Sequence, residues 1–227
     1  MDSSLAFLRI PNMIKRINLD VNRFVCERLC TERTNKNKIR TFSCERNPNL
    51  EYYLKQHAWF EDKNNICAHY LIKDGDKVVL YFSLKTAMVI DAKKNTEVSC
   101  RSIEVDSTCA AVELVQFCVN DTYKKRIDKK QWYRNGFSLG QYLFFRYVLP
   151  KVYEIGKIIG LQYFYLFAAD STEDRTLVNY YNQKLFFRER LNSKRFIRPC
   201  YDDGCTFMYM TYADVSALYQ QYIKTRR

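Results

Sequence analysis

A strand-like run that leads into a glycine-containing loop, between Ala111 and Phe145, constrains this chain more than any other feature. The run Ala111–Val119 is apolar, rich in β-branched residues and of strand length. A polar and basic stretch follows, and the loop Asn135–Gly140 then opens a helix predicted over Gln141–Tyr147. Glycine lets the backbone approach a ligand closely, and a helix start offers unpaired N–H groups to an anion. The pattern by itself fits either a phosphate site or an ordinary glycine turn.

A second strand and a second helix follow in the same order. Gly160–Ala168 is a short, aromatic-rich run that predicts a buried strand. The polar turn Asp170–Asp174 comes next, before a helix predicted over Leu177–Leu185 that carries Tyr180 and Tyr181. This alternation predicts an α/β (α+β mixed) fold, in which a mixed central sheet is flanked by helices.

The rest of the chain extends this pattern on both sides. The predicted elements are a helix over Met13–Cys30, a linker over Thr31–Lys38, a strand over Ile39–Cys44, a helix from Pro48 to about Glu61, a hairpin over His69–Leu84 that turns at Asp74-Gly75-Asp76, a loop within Lys85–Glu97, a strand near Val98–Val105, late strands over Phe196–Cys200 and Thr206–Thr211, and a closing helix over Ala213–Lys224. We interpret residues 1–38 as an N-terminal helical extension, 39–211 as the main domain, and 212–227 as a C-terminal helix with a basic tail.

The charge balance favours a polyanionic partner. The 227-residue chain has a net charge of +12, and its basic residues cluster before the glycine loop and after the tyrosine-bearing helix. The clusters are Lys124, Lys125, Arg126, Lys129, Lys130 and Arg134, and then Arg188, Arg190, Lys194, Arg195 and Arg198. They form either a solvated surface or a phosphate-binding face for a cofactor or RNA, and the sequence leaves both interpretations open.

Apolar runs and cysteines bear on location and metal content. No run approaches the roughly 20 apolar residues of a membrane span, and Leu5–Ile10 is too short for a signal peptide. We therefore expect a cytoplasmic protein that makes no membrane contact.

The nine cysteines are odd in number, which favours reduced thiols. The pairs Cys26/Cys30 and Cys200/Cys205 are not C-x-x-C pairs, and His57 and His69 lie far from them, so we expect no metal.

Four stretches together resemble the GNAT superfamily of acetyl-CoA-dependent N-acetyltransferases, over roughly Ile39 to Thr211. Phe42-Ser43-Cys44 with Leu50–Lys55 is similar to the opening motif of the toxin-type branch, and the hairpin His69–Leu84 is similar to its central hairpin. Glu113–Val119 with Ser138–Leu143 resembles the cofactor-binding motif. Asn179–Phe186 resembles the helix end F-Y-x-x-x-G-F. Two departures stand out. The loop reads Asn-x-x-Ser-x-Gly where the family has Gln/Arg-x-x-Gly-x-Gly/Ala, and Leu185 stands where the family has glycine.

The resemblance implies a cleft for acetyl-CoA between two parallel strands that splay apart, the ones that carry Glu113–Val119 and Leu161–Ala168. Cys118 and Val119 would offer backbone N–H and C=O groups to the pantetheine arm. The Val119 N–H would also polarise the thioester oxygen. The remaining cofactor-binding residues implied are Asn135, Gly136, Ser138, Leu139, Gly140, Gln141 and Asn179.

The acid of the implied reaction protonates the leaving thiolate, and a tyrosine suits this task because its ordinary pKa of about 10 keeps it protonated. Tyr181 lies five residues before Phe186, where the family has its tyrosine, and is the expected general acid. Tyr180 is the alternative. Both tyrosines could instead simply pack the helix against the sheet.

The base of the reaction takes a proton from the amine, and Glu113 is the expected residue. It interrupts an apolar strand, where a buried carboxylate is costly unless it is paired or functional. A structural pairing with a basic side chain is the alternative. Strand alternation predicts that Gln116 lies on the opposite face and lines the substrate side.

The resemblance thus implies acetyl transfer from acetyl-CoA to a primary amine. The acceptor is open between the α-amine of an aminoacyl-tRNA, a protein amine and a small amine. The alternative is a catalytically inactive module of the same fold that binds RNA or a protein partner through its basic surface. Many proteins that this chain resembles form dimers, so a homodimer is compatible with the resemblance. Some of them also have an antitoxin.

Overall fold

A seven-stranded mixed sheet organises the computed structural model of this chain, in the strand order β1-β2-β3-β4-β5-β7-β6. The structure describes residues 23–93, 105–125, 138–170, 172–189 and 204–226. The strands are β1 Phe24–Arg28, β2 Ala68–Asp74, β3 Lys77–Lys93, β4 Val105–Val119, β5 Tyr163–Ala169, β6 Arg188–Glu189 and β7 Cys205–Thr211. The α-helices are α1 Asn35–Lys38, α2 Pro48–Gln56, α3 Ala58–Lys63, α4 Asp121–Lys124, α5 Leu139–Leu143, α6 Leu149–Ile159, α7 Thr176–Leu185 and α8 Tyr212–Arg226.

Helices cover both faces of this sheet. On one face, α5 to α8 bury the main core, whose members include Val112, Leu114, Phe144, Phe164, Val178 and Leu218. On the other face, α2 and α3 bury a smaller cluster around Leu54, Leu71 and Tyr81. The predicted mixed sheet flanked by helices is confirmed.

The two central parallel strands separate soon after they pair. β4 pairs with β5 only from Ala111↔Tyr163 to Glu113↔Tyr165, while its other edge stays paired with β3 as far as Val119. Among the described residues, the edge of β4 that faces β5 therefore has no strand partner beyond Glu113. The predicted splay is confirmed.

The N-terminal part of the described chain differs from the prediction. Phe24–Arg28 is not helical but forms the edge strand β1, antiparallel to β2. Residues 29–31 and 39–41 form single 3-10 turns, so no strand occupies 39–44. The expected linker contains α1, whose buried Asn35 donates to the Leu29 carbonyl at 3.2 Å. Phe24–Arg28 therefore belongs to the sheet rather than to an added helix, because strand pairing outweighs the helix-like spacing of the sequence.

Several other helices and strands begin or end at residues different from those predicted. The helix expected from Pro48 breaks at His57 into α2 and α3. The β2–β3 hairpin is confirmed, with Gly75 at φ +58° as primed hairpin turns require. β3 then continues to Lys93 where a loop was expected. The late strand and the closing helix are confirmed as β7 and α8. The helix over residues 13–22 and the strands near 98–104 and 196–200 lie outside the described residues.

The helix predicted over Gln141–Tyr147 is longer than expected. It begins at Leu139, passes through a π-helical segment at Phe144–Val148 and continues as α6. Pro150 lies in the first turn after that segment, where its missing N–H costs little. In the part of the chain that the structure describes, no helix is both long and apolar enough to cross a membrane.

Candidate active site

A β-bulge shapes the edge of β4 where the two parallel strands part. Leu84 lies opposite Leu114 and Ser83 opposite Gln116, so Val115 is an extra residue without a partner on β3. Such a bulge bends the strand and increases its twist. It comes two residues after the last β4–β5 pair and so helps to open the cleft.

The register of β4 decides which backbone groups face this cleft. The Asn120 N–H donates to the Val79 carbonyl at 2.8 Å, and Cys118 lies opposite Tyr81. Because antiparallel partners alternate, the backbone groups of Cys118 point toward β3, while those of Phe117 and Val119 point toward the cleft. The expectation for Cys118 is therefore wrong, since its N–H and C=O belong to the β3–β4 ladder. Phe117 was missed, although alternation from Val119 would have identified it.

The start of α5 lies against the end of β4. Ser138 is the N-cap: its Oγ accepts a hydrogen bond from the Gln141 N–H at 3.1 Å. The first helical bond runs from the Tyr142 N–H to the Ser138 carbonyl, so the N–H groups of Leu139 and Gly140 precede the helical ladder. Asn135 and Gly136 lie outside the described residues.

Glycine at position 140 allows this close approach. A Cβ there would lie 2.9 Å from the Tyr180 hydroxyl oxygen and 3.2 Å from Val119 Cγ2. A side chain at 140 would therefore collide with protein atoms, and only glycine lets the helix start pack directly against the end of β4 and against α7.

Two expected cofactor contacts have structural partners instead. Gln141 is buried, and its Nε2 donates to the Lys184 carbonyl at 2.9 Å, while its N–H serves the Ser138 cap. The Asn179 side chain donates to the Asp174 carbonyl at 3.0 Å and steadies the first turn of α7. The expectation for Gln141 is therefore wrong, because its N–H and its side-chain donor are already bonded within the protein.

The adjacent tyrosines of α7 have different surroundings. Tyr181 is 8% exposed, and its ring lies 6.0 Å from that of Phe187; burial raises the pKa of its hydroxyl. Tyr180 is half-buried, and its hydroxyl lies 3.2 Å from Ser138 Oγ. Burial raises the pKa of Tyr180 to about 12. Both hydroxyls are therefore protonated at neutral pH.

The end of α7 changes the alignment with the F-Y-x-x-x-G-F motif. The left-handed residue that closes the helix is Phe186, at φ +66°, rather than Leu185. Glycine is the usual residue in that conformation, so Phe186 takes the place of the motif glycine. Counting back from it, Asn182 falls on the motif tyrosine and Tyr181 on the motif phenylalanine. The position of Tyr181 in the motif therefore no longer supports it as the general acid. Only its surroundings in the structure bear on that role.

Glu113 lies at the apex of the cleft, in the last pair that joins β4 to β5. It is 5% exposed, and the Tyr165 hydroxyl donates to its Oε2 at 3.3 Å. Gln116 shares its face, because the bulge at Val115 resets the alternation. The expectation that Gln116 lies on the opposite face is therefore wrong.

Arg46 is a residue that the sequence did not suggest. Its guanidinium donates to Thr176 Oγ1 at 2.8 Å and lies 3.6 Å from Asp170 Oδ1. Its charge also acts on Tyr181, whose pKa it lowers against the larger effect of burial. The sequence contained no signal for this contact, since 130 residues separate Arg46 from Thr176.

The described members of the basic clusters are paired with carboxylates. Lys124 lies 2.8 Å from Asp121 and Arg188 2.5 Å from Asp214, and Lys125 pairs with Glu45. Arg126, Lys129, Lys130, Arg134 and the cluster members from 190 to 198 lie outside the described residues. These pairs are exposed in part, so they leave their cations accessible to water and to anions.

The sheet order and the splayed strands define a GNAT-type fold, as the sequence resemblance predicted. Similar solved structures include a bacterial toxin, at 16% identity and a TM-score of 0.60, with 87% of this chain and 95% of that chain covered. A second is AtaTR bound with acetyl-CoA, at 14% identity and a TM-score of 0.60, with 87% and 98% covered. A third is AtaT complexed with acetyl-methionyl-tRNAfMet, at 12% identity and a TM-score of 0.54, with 86% and 99% covered.

At these identities the likeness shows the fold alone. No protein-family profile matches the sequence, and no curated protein is significantly similar to it.

The Ser138 cap can be tested with two matched substitutions. Ser138→Ala removes the oxygen that accepts from the Gln141 N–H, and we expect it to lower the free energy of unfolding by about 0.5–2 kcal/mol. Ser138→Asn retains a capping oxygen and is expected to change it by only a few tenths of a kcal/mol. Urea denaturation measures both values. Equal losses for the two variants would contradict the assignment of the cap.

Proposed function

We propose that this protein transfers the acetyl group of acetyl-CoA to a primary amine by direct attack of the amine on the thioester. The observation that carries the proposal is the juxtaposition of a helix start with a strand edge that has no partner strand in the described part of the chain. The backbone groups of Phe117 and Val119 face the cleft, and the helix that begins at Leu139 meets the same end of β4. An extended amide-containing arm with a phosphate at one end is complementary to such a site.

Each part of the cofactor has a matching group in the chain. The N–H groups of Leu139 and Gly140 would bind the pyrophosphate, and Ser138 would hold the helix start in shape. The edge of β4 at Phe117 and Val119 would pair with the pantetheine amides. One N–H of this edge would polarise the thioester oxygen, as a preorganised donor in the cleft.

Glu113 is the proposed general base and Tyr181 the proposed general acid. The carboxylate of Glu113 lies where the strands part, so a proton acceptor stands at the apex of the cleft. Tyr181 is buried in the main core, and burial is the main cause that raises the pKa of its hydroxyl. Tyr180 is the alternative acid, because its hydroxyl lies near the helix start.

The proposed acceptor is the α-amine of an aminoacyl-tRNA. The net charge of +12 favours a nucleic-acid substrate, and the similar structure of AtaT is complexed with an acetylated aminoacyl-tRNA. A protein amine or a small amine remains the alternative acceptor. Similar structures also include AtaT bound to part of the antitoxin AtaR, so a protein antitoxin is a further proposed partner.

Calorimetric titration with acetyl-CoA tests the cofactor site, with free CoA as the comparison. We expect saturable binding of both ligands. Ser138→Asn should bind like the parent protein, whereas Ser138→Asp keeps the cap but adds a negative charge beside the phosphates and should bind more weakly. No binding at millimolar cofactor would overturn the enzyme proposal. It would favour the second candidate, an inactive module of the same fold, which the departures at Asn182 and Phe186 support.

Substitution of the proposed acid and base tests the mechanism. Tyr181→Phe should lower kcat by about 10²–10⁴-fold, the usual contribution of general acid–base catalysis. A comparable loss in Tyr180→Phe, with Tyr181→Phe unaffected, would transfer the role to Tyr180.

The pH–rate profile provides the second readout for these variants. Glu113→Gln should abolish the fall of kcat/KM on the acidic side, where a carboxylate base becomes protonated. Because burial raises the pKa of both tyrosines, the rate should not fall through tyrosine ionisation below about pH 10. An unchanged acidic limb in Glu113→Gln would exclude Glu113 as the base.

The salt dependence of KM distinguishes the acceptors. Phosphate contacts release counterions, so KM for an aminoacyl-tRNA should rise steeply with salt, with a slope of about 0.7 per phosphate contacted on single strands. KM for a small amine should change little over the same range. A flat response with aminoacyl-tRNA would contradict a docking surface for nucleic acid.

A further inference from the structure

Three metal-ligating side chains from two elements meet on one side of the sheet. Glu61 lies in α3, Cys67 directly precedes β2, and His69 is the second residue of β2. One carboxylate oxygen, the thiol sulfur and one ring nitrogen all lie within 4.8 Å of one another. Cys67 and His69 are two residues apart in extended chain and so share a face. The proposed acetyl transfer does not use any of the three.

The tight connection from α3 to β2 holds these residues together. Asn65 adopts φ +55°, and the Ile66 N–H donates to the Glu61 carbonyl at 3.0 Å. The Asp62 carboxylate accepts from the His69 N–H at 2.9 Å. The backbone that carries the three side chains is therefore fixed by its own hydrogen bonds.

Neighbouring groups also orient the side chains. His69 is fully buried, with its Nδ1 2.7 Å from Ser83 Oγ and its Nε2 3.1 Å from a Glu61 oxygen. The Tyr53 hydroxyl donates to the other Glu61 oxygen. Histidine ligands of metals are usually held in this way through the second ring nitrogen.

The donor set selects the kind of cation. A thiolate and an imidazole suit zinc and disfavour magnesium and calcium, which prefer oxygen ligands. Tetrahedral zinc with bonds of about 2.0–2.3 Å places its ligand atoms roughly 3.3–3.8 Å apart. The three atoms need only small movements to reach that spacing.

We propose that Glu61, Cys67 and His69 bind one Zn²⁺ ion, with water in the fourth position. The ion would join α3 to the start of β2, on the sheet face that also carries Glu113. The predicted absence of a metal compared His69 only with the pairs Cys26/Cys30 and Cys200/Cys205. It did not consider Cys67, whose Cys-x-His spacing with His69 places two ligands on one strand face.

A buried oxygen on the neighbouring strand supports this proposal independently. His69 can bind a metal through Nε2 only if its proton is on Nδ1, where it would be donated to Ser83 Oγ. Ser83 must then give its own proton to another acceptor. Gln116 lies directly across the ladder from Ser83, and its Oε1 is buried without a hydrogen-bond partner among the described residues. With the proposed tautomer, the Ser83 hydroxyl proton would be free to be donated across the ladder toward this oxygen.

Metal titration of the untagged full chain tests the site. We expect one equivalent of Zn²⁺ to bind, and Co²⁺ in its place to give a thiolate-to-cobalt charge-transfer band together with the intense visible bands of tetrahedral cobalt. Zn²⁺ should raise the Tm and Mg²⁺ should not. If the parent protein shows no cobalt–thiolate band and no zinc-dependent rise in Tm, the proposal is overturned whatever the variants do.

Matched variants locate the ion. Cys67→Ser should abolish the charge-transfer band, whereas Cys26→Ser, at a half-buried cysteine in β1, should retain it. Ser83→Ala should retain the band but weaken zinc affinity by about 10–100-fold, as loss of a group that orients a ligand does. A band that persists in Cys67→Ser would assign the metal to another cysteine and overturn the proposal. The readouts are independent of acetyl transfer, so either proposal can fail alone.

Discussion

The loss of pairing between β4 and β5 after Glu113 is the constraint on which the site depends. Three pairs hold the parallel strands together, and the bulge at Val115 then bends β4 while β3 keeps it in the sheet. A parallel strand edge is normally covered, because its N–H and C=O groups need partners. In the described part of the chain no strand covers the edge at Phe117 and Val119, and the carboxylate of Glu113 is placed at the point of separation.

Close packing at the end of β4 brings the second half of the site to this edge. Gly140 has no side chain, so the start of α5 contacts Val119 and Tyr180 directly. The Ser138 cap keeps the first turn helical, and the long helix through α6 anchors it in the main core. A strand edge whose backbone groups face the cleft and a helix start whose first N–H groups precede the helical ladder thus become neighbours, which is the complementarity that the proposed function requires.

The sheet face opposite the main core carries polar chemistry of a different kind. Glu113 and Gln116 share that face with Ser83. Ser83 is hydrogen-bonded to His69, which in turn contacts Glu61. Buried polar groups of this density must be mutually satisfied to be stable. The proposed zinc ion would complete the arrangement at the α3–β2 junction, while the proposed base Glu113 lies at the cleft. The two sites are adjacent but rest on separate residues.

The sequence alone determined the elements with strong local signals. The hairpin at Gly75, the strand Ala111–Val119, the helix with Tyr180 and Tyr181, and the mixed sheet follow from periodicity, turn residues and motif resemblance. Tertiary structure decided what local patterns do not encode. Strand pairing made Phe24–Arg28 an edge strand, and the bulge at Val115 placed Gln116 on the same face as Glu113. The register of the β3–β4 ladder turned the backbone groups of Cys118 away from the cleft. Contacts such as Arg46 with Thr176, or Glu61 with His69, arise from chain packing. No repeating pattern in the sequence signals these contacts, because hydrogen bonds between elements depend on strand register and on where the elements lie in space.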